Sequence, residues 1–254
     1  MTQLNGKIAI VTGGGSGLGR AMALRFASDG ARVIAADLNE AGAQETARLA
    51  TEQGASAEQV VARALDVTNE QACSALVDAT LAEHGKLDVM VANAGIGTFG
   101  PIASLSLADW QRVLDVNLTG VFLCAKYAFR AMQQEGGGVI LATASVAGLE
   151  GTPNLGAYGP AKAGVIQLVK TIALEGARHN IRANALCPVW TTTPLVDALV
   201  AENPERGMER LRRMVPLGRL GQPEDVASVA AFLASDEASF ISGIAMPIDG
   251  GHTA

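Results

Sequence analysis

Cysteine and histidine are scarce in this chain. The three cysteines, Cys73, Cys124 and Cys187, are odd in number and widely spaced, so no disulfide framework is implied. They read as small buried apolar residues of a protein kept in a reducing compartment. The three histidines, His84, His179 and His252, stand apart from one another and from every cysteine. Zinc needs three or four converging ligands, so no metal site is expected and a zinc-dependent alcohol dehydrogenase is disfavoured. Basic runs are also missing. Lys and Arg number 19 against 25 Asp and Glu, a net charge of −6. A nucleic-acid surface wants clustered cations, so the expected ligands are small molecules. Uninterrupted membrane-type runs are absent as well. The twenty residues between Asp88 and Asp109 carry no charge, but Asn93, Gly95, Gly97, Gly100 and Pro101 break a helix there. That stretch reads as a buried strand and a loop rather than a membrane span. The first seven residues hold no apolar run with a cleavage site, and a cytoplasmic location is expected.

What is present is a repeated alternation. Apolar residues make up 49% of 254 and charged residues 17%, enough to bury a large core. Short β-branched runs recur at 8–11, 32–36, 60–65, 87–92, 139–142, 181–186 and 244–248, with helical stretches between them. The first run is continuously apolar, as suits a strand covered on both faces. The helix after it places Leu18, Ala21, Met22 and Phe26 on one side. Another starts near Pro223, with Glu224 and Asp225 in its first turn, where negative charge suits the helix dipole. Strands alternating with helices imply parallel pairing and right-handed crossovers. The expected fold is α/β, a doubly wound parallel sheet of Rossmann type with about seven strands. No composition shift marks a second domain, so 1–254 reads as one domain. An irregular helical excursion at 189–221 would cover the site.

After the first strand the chain reads Thr12-Gly13-Gly14-Gly15-Ser16-Gly17-Leu18-Gly19. The strict G-x-G-x-x-G fingerprint fits in no register, and the spacing is G-x-x-x-G-x-G. The physical need is similar: a tight turn, close approach of a pyrophosphate to the backbone, and free N–H groups at a helix start. A glycine cluster alone is weak evidence, but this one lies between the first strand and the first helix. Asp37 ends the second strand, eighteen residues after Gly19. A carboxylate there can accept hydrogen bonds from adenosine ribose hydroxyls and repels a 2′-phosphate. Ser16 offers such a phosphate no positive charge. The expected cofactor is NAD, not NADP.

Tyr158 and Lys162 stand four residues apart, which on a helix puts them on one face. A nearby ammonium favours tyrosinate and should lower the phenol from its reference of about 10. An isolated pair of this kind is more often a surface phenol and a solvated ammonium. Here the pair accompanies the glycine turn, Asn93-Ala94-Gly95, Asn117 and Ser145, in order and at familiar spacing. With these residues the chain resembles the short-chain dehydrogenase/reductase family, in its smaller type of about 250 residues, from Lys7 to Gly251. The resemblance implies a role for each. Tyr158 would exchange a proton with the substrate oxygen, and Lys162 would lower its pKa and hold the nicotinamide ribose. Ser145, thirteen residues before Tyr158, would hydrogen-bond the substrate oxygen, although Thr143 stands close by. Asn117 would position a water between Lys162 and solvent, unless it simply satisfies backbone groups. Asp66 and Val67 would contact adenine, Asn93 and Gly95 would line the cofactor cleft, and Gly13, Ser16, Gly17, Leu18 and Gly19 would cradle the pyrophosphate. Pro188, Thr191 and Thr193 would meet the nicotinamide. The family usually has Pro-Gly at that turn. Here it is Pro188-Val189, and Val tolerates fewer conformations than Gly.

The implied activity is hydride transfer between NAD(H) and a secondary alcohol or ketone. A 3-oxoacyl-carrier-protein reductase is the rival within the family. Gln133 to Gly138, before the fifth strand, lacks the cation that an acidic carrier would want. A cofactor-binding regulator without turnover is the alternative of another class. A homotetramer is expected from the family, paired through 107–132 and 156–177, where Val121, Phe122, Ala125, Phe129, Val165, Leu168, Val169 and Ile172 are apolar or small. The substrate is expected to be neutral and largely apolar, because Ile96, Phe99, Val146, Leu149, Leu155, Trp190, Leu195, Val196 and Leu199 fall at the carboxyl ends of strands. Arg206, Arg210, Arg212 and Arg213 are expected to face solvent.

Overall fold

The computed structural model describes residues 3–254. Its strands are β1 (Ile8–Thr12), β2 (Arg32–Asp37), β3 (Val60–Ala64), β4 (Val89–Ala92), β5 (Gly138–Thr143), β6 (Ile181–Pro188) and β7 (Ala245–Ile248). All pair in parallel in the order β3-β2-β1-β4-β5-β6-β7. The chain reverses its direction of growth between β1 and β4. Doubly wound sheets bind ligands in the crevice at such a switch point, outside the carboxyl ends of the strands.

Helices cover both faces. On one side lie α1 (Gly17–Ser28), α2 (Glu40–Glu52) and α9 (Pro223–Ala234), around Met22, Phe26, Val33, Leu141 and Leu233. On the other lie α3 (Glu70–His84), α5 (Gly120–Glu135) and α6 (Tyr158–Gly176), around Ile10, Met90, Ile140, Met132 and Val165, with α4 (Leu107–Leu114) against α6. The central strands β1 and β4 are buried at every residue, which explains their unbroken apolar runs. Helix ends follow local chemistry. Asn39 and Asn69 cap α2 and α3 by accepting the N–H of Gly42 and Ala72. Gly85 ends α3 with φ of +75°. The Arg182 guanidinium, half-buried, donates to the Leu233 and Ser235 carbonyls at 2.8 and 2.9 Å, satisfying orphan acceptors at the end of α9.

The region expected as an excursion holds α7 (Pro194–Leu199) and α8 (Pro204–Arg213), each opened by a proline in its first turn. Both stand beyond the carboxyl end of β6. Strand β4 begins at Val89, two residues later than its hydrophobic run suggests. Leu87 is buried, but the pairing with β1 starts only at Ala9↔Val89.

Candidate active site

The glycine turn is built so that larger residues do not fit. Gly13 has φ of +65°, and a Cβ on Gly19 would lie 2.0 Å from the Gly13 carbonyl oxygen. Two of the turn's carbonyls are engaged by side chains from the helices. Thr46 Oγ1 donates to the Gly14 carbonyl at 2.7 Å, and Arg20 donates to the Gly15 carbonyl. The first-turn N–H groups of α1 at Gly17, Leu18 and Gly19 have no intrahelical acceptor, and no acidic residue competes for them. Gly17 faces Thr193 across the cleft, with a Cβ at that position 3.4 Å from Thr193 Cγ2. Arg20 and Thr46, which hold this turn from beneath, carry no fingerprint of their own and were not expected as site residues.

Asp37 accepts from the Gly15 N–H at 2.9 Å and from the Asn39 N–H at 2.8 Å, one bond to each carboxylate oxygen. A carboxylate has about four lone-pair sites, so further donors can still be taken. Asp66 is exposed and accepts from Thr68 N and Oγ1, while Val67 is buried against Gly120. Asn93 bridges three strand ends. Its amide donates to the Thr12 carbonyl at 2.9 Å and accepts from Thr143 Oγ1 at 2.9 Å. The cradle, the free N–H groups and a carboxylate with spare acceptor sites at the end of β2 together fit a dinucleotide.

Tyr158 is the first residue of α6 and Lys162 lies one turn on. Lys162 is 2% exposed, and its ammonium donates to the Thr143 carbonyl at 2.7 Å and lies 5.5 Å from the centre of the Tyr158 ring. The Ser145 hydroxyl faces the Tyr158 phenol and also accepts from the Ala147 N–H at 3.2 Å. The Thr143 hydroxyl is occupied by Asn93, so the two neighbouring hydroxyls divide, and only Ser145 turns to the tyrosine. Asn117 sits in a π-helical turn, Asp115–Thr119, of the kind found at functional sites. Its side chain accepts from Ile96 N at 2.8 Å and donates to the Ile96 carbonyl at 2.7 Å. Asn117 therefore satisfies backbone, and its Oδ1 and the Lys162 ammonium are the nearest neighbours of a Gly95 Cβ, at 3.0 and 3.6 Å.

The expected electrostatics need correction. Burial pushes the Tyr158 phenol up to about 12, with the Ser145 hydrogen bond pulling the other way. Burial likewise brings Lys162 down to about 8. Desolvation outweighs the helpful neighbour in the protein alone. The cysteines behave as expected of packing residues: all three are buried and free, and burial lifts Cys187, behind this site, to about 11.

A cavity of about 180 Å³ opens over Tyr158 and Ser145. Phe99, Val146, Leu155, Trp190, Leu195, Val196 and Leu199 line it, as do Pro188, Thr191 and Thr193. Two residues expected there do not. Ile96 packs beside Val113 and Ala161, and Leu149 is exposed. The unforeseen lining residues include Met214, and His252 from the far end of the chain, which pairs with Glu150 at 2.9 Å. Val189 in place of the family's glycine is accommodated. Asn154 and Asn180 are the only non-glycine residues with positive φ among the described residues, so this turn does not use glycine's extra range. Val189 instead packs against Val146, Val215 and Trp190. The Thr191 and Thr193 hydroxyls donate to the carbonyls of Val189 and Thr191, bracing the same loop. Among the described residues no group of three or more His, Cys, Asp or Glu converges as a metal site. No helix among them is long and apolar enough to cross a membrane.

The family model described as enoyl-(acyl carrier protein) reductase matches residues 13–253. The chain belongs to the short-chain dehydrogenase/reductase family. The cis-4-hydroxycyclohexanecarboxylate dehydrogenase of Sinomonas cyclohexanicum is 44% identical over 249 residues, 98% of this chain and 97% of that protein. A 3-oxoacyl-[acyl-carrier-protein] reductase of Thermotoga maritima is 38% identical over 98% of both chains. The crystal structure of a levodione reductase superposes with a TM-score of 0.94 at 36% identity, covering 98% of each chain. The relatives of this family member are oxidoreductases of secondary alcohols and ketones, and its fold is theirs.

Proposed function

We propose that this protein is an NAD(H)-dependent dehydrogenase that interconverts a cyclic secondary alcohol and its ketone. The observation that carries the reading is the meeting of Tyr158 and Ser145 in the wall of an apolar cavity, with the buried Lys162 ammonium 5.5 Å from the Tyr158 ring and the bare N-terminus of α1 beside it. A bound NAD would supply the hydride acceptor for the carbinol carbon. Tyr158 takes the hydroxyl proton in oxidation and returns it in reduction. Ser145 donates to the substrate oxygen and fixes its position. Lys162 stabilises the phenolate and holds the nicotinamide ribose, and Asn117 keeps the backbone beside it in place. Gly13, Ser16, Gly17, Leu18 and Gly19 cradle the pyrophosphate. Asp37 takes the adenosine ribose and disfavours a 2′-phosphate. Asp66 and Val67 border the adenine, Asn93 and Gly95 the cleft, and Pro188, Thr191 and Thr193 the carboxamide side.

The cyclic, apolar character of the substrate follows from the cavity walls and is consistent with the relative named for a hydroxycyclohexane acid. Among the described residues the charged groups lining this cavity are Glu150 and His252, which are paired with each other. A carboxylate placed directly there would be desolvated without a partner. The segment at 189–221 covers this cavity as part of one domain. We further propose a cytoplasmic homotetramer. Of the residues expected at its interfaces, Val121, Ala125, Val165 and Val169 are buried in the core and Phe129, Leu168 and Ile172 are partly buried against it, which leaves Phe122, together with the exposed Leu107 and Leu174.

The test is a panel of cyclic and linear secondary alcohols and ketones read by NADH absorbance, with Tyr158→Phe as control. Loss of about 10²–10⁴ in rate is expected for the variant, with NAD binding kept, because only proton transfer is removed. Near wild-type turnover by Tyr158→Phe would sink the mechanism.

A further inference from the structure

The site has a second compartment. A cleft of about 450 Å³ adjoins the cavity over Tyr158, and the two share Phe99, Leu155, Trp190, Leu199 and Met214 as common walls. The inner cavity is apolar. The outer cleft is bounded by α8 and presents two guanidinium groups, Arg206 and Arg210. They are four residues apart, so they lie on one face of the helix.

Their neighbours on α8 behave differently. Arg212 and Arg213 both pair with Glu209, at 3.4 and 2.9 Å. Among the described residues neither Arg206 nor Arg210 forms an ion pair or a side-chain hydrogen bond. Two unpaired like charges at this spacing disfavour the helix slightly, and this is in a chain of net charge −6. One acidic residue, Glu202, also borders the cleft. It makes no ion pair with either arginine. A guanidinium pair is a fork-shaped donor suited to carboxylate or phosphate. Here it stands at the outer end of a passage whose inner end holds the tyrosine.

We infer that the outer cleft binds an anionic terminus, carboxylate or phosphate, carried on an arm of the substrate. The carbinol ring occupies the inner cavity, the arm passes Trp190, and Arg206 and Arg210 take its charged end. This rests on the alcohol and ketone reading above and refines it: the reacting end is apolar, and the charge lies at a distance from it.

The experiment compares 4-alkyl cyclohexanols whose flexible arm ends in a carboxylate, a phosphate or a methyl ester, over increasing arm length. The full-length enzyme is used with saturating NAD. The anionic compounds should exceed the ester in kcat/KM by about tenfold or more, through KM, at one arm length and not at the shortest. In the Arg206→Gln/Arg210→Gln double variant that ratio should fall to about one. Added salt should lower it in the wild type. Comparing acid with ester inside each variant removes any general effect on folding or turnover. Carboxylate and phosphate arms tell the two chemistries apart. Calorimetric binding of the same acid and ester to the enzyme reads the cleft independently of oxidation. If the rings are not oxidised but the acid still binds tighter and the double variant abolishes this, the proposed reaction fails and the anion site stands. Equal kcat/KM and equal binding of acid and ester at every arm length, or a preference that survives the double variant, overturns the inference.

Discussion

Replacing Lys162 by Met tests how this site makes a base out of a buried phenol. The ammonium lies 5.5 Å from the centre of the Tyr158 ring, and burial, opposed by the Ser145 hydrogen bond, leaves the phenol at about 12. With an effective dielectric of about 20, a unit charge at that distance favours the phenolate by roughly 3 kcal/mol. At 1.36 kcal/mol per tenfold, that is about two pH units. Methionine keeps the volume and removes the charge. Lys162 itself lies at about 8, so its charge acts only below that pH, and the effect is read there as kcat/KM for alcohol oxidation with NAD saturating. Below about pH 8 the rate should fall about 10²-fold, since the phenolate fraction falls by that factor, and the difference should shrink as the pH rises past it. A second assay isolates the cause. Tyr127 is the only other tyrosine, and its phenol donates to Glu70 at 2.9 Å, far from the site. In a Tyr127→Phe background the ultraviolet absorbance of tyrosinate reports Tyr158 alone, and its onset should come at a higher pH in the Lys162→Met variant. Losing the donor to the Thr143 carbonyl should also cost about 1–3 kcal/mol of stability, which a melting curve checks separately. An unchanged rate below about pH 8 refutes the electrostatic role of Lys162.

Asp37→Ser should narrow the preference for NAD over NADP in kcat/KM, and a wild-type enzyme already faster with NADP would refute the role given to this carboxylate. The same substitution removes acceptors from the Gly15 and Asn39 N–H groups, so a small loss of melting temperature should accompany it. His252 faces the Met214 carbonyl at 2.8 Å and Glu150 at 2.9 Å, two acceptors that only the imidazolium can serve with both nitrogens. The Met214 carbonyl and Glu150 hold its pKa above the ordinary value. Its contribution to stability is therefore full below about pH 6.5 and is lost as pH rises through the raised value. The melting-temperature gap between wild type and His252→Gln should be about 1–2 °C at acid pH, given a partner open to solvent, and should close at alkaline pH; a gap that widens with pH contradicts this. Light scattering at micromolar concentration should give four times the chain mass, and a monomer would remove the proposed tetramer.

What could be read from the sequence, and what could not, divides by the range of the interactions involved. The strands were legible because a parallel sheet covered on both faces demands unbroken apolar runs, and Ile8–Thr12 and Val89–Ala92 are buried throughout. The glycine turn and the Tyr158/Lys162 pair were legible because their constraints act over a few residues, as the 2.0 Å approach of a Gly19 Cβ to Gly13 shows. Residues brought in from elsewhere in the chain left no such trace. Arg20 and Thr46 hold the glycine turn from two helices, and His252 reaches Glu150 across 102 positions. Nothing in their own neighbourhoods distinguishes them from ordinary surface or helix residues. The pKa expectation failed for a related reason. Proximity of Lys162 to Tyr158 follows from helical spacing, but the loss of water around the pair depends on β5, β6 and the loop at 189–193 closing over it. Charge pairing was therefore readable from two residues, whereas the larger opposing effect of desolvation belongs to the whole fold. The same reasoning explains Arg206 and Arg210. Four arginines on α8 look alike in sequence, and only the position of Glu209 on the helix and of the cleft beside it separates the paired two from the unpaired two.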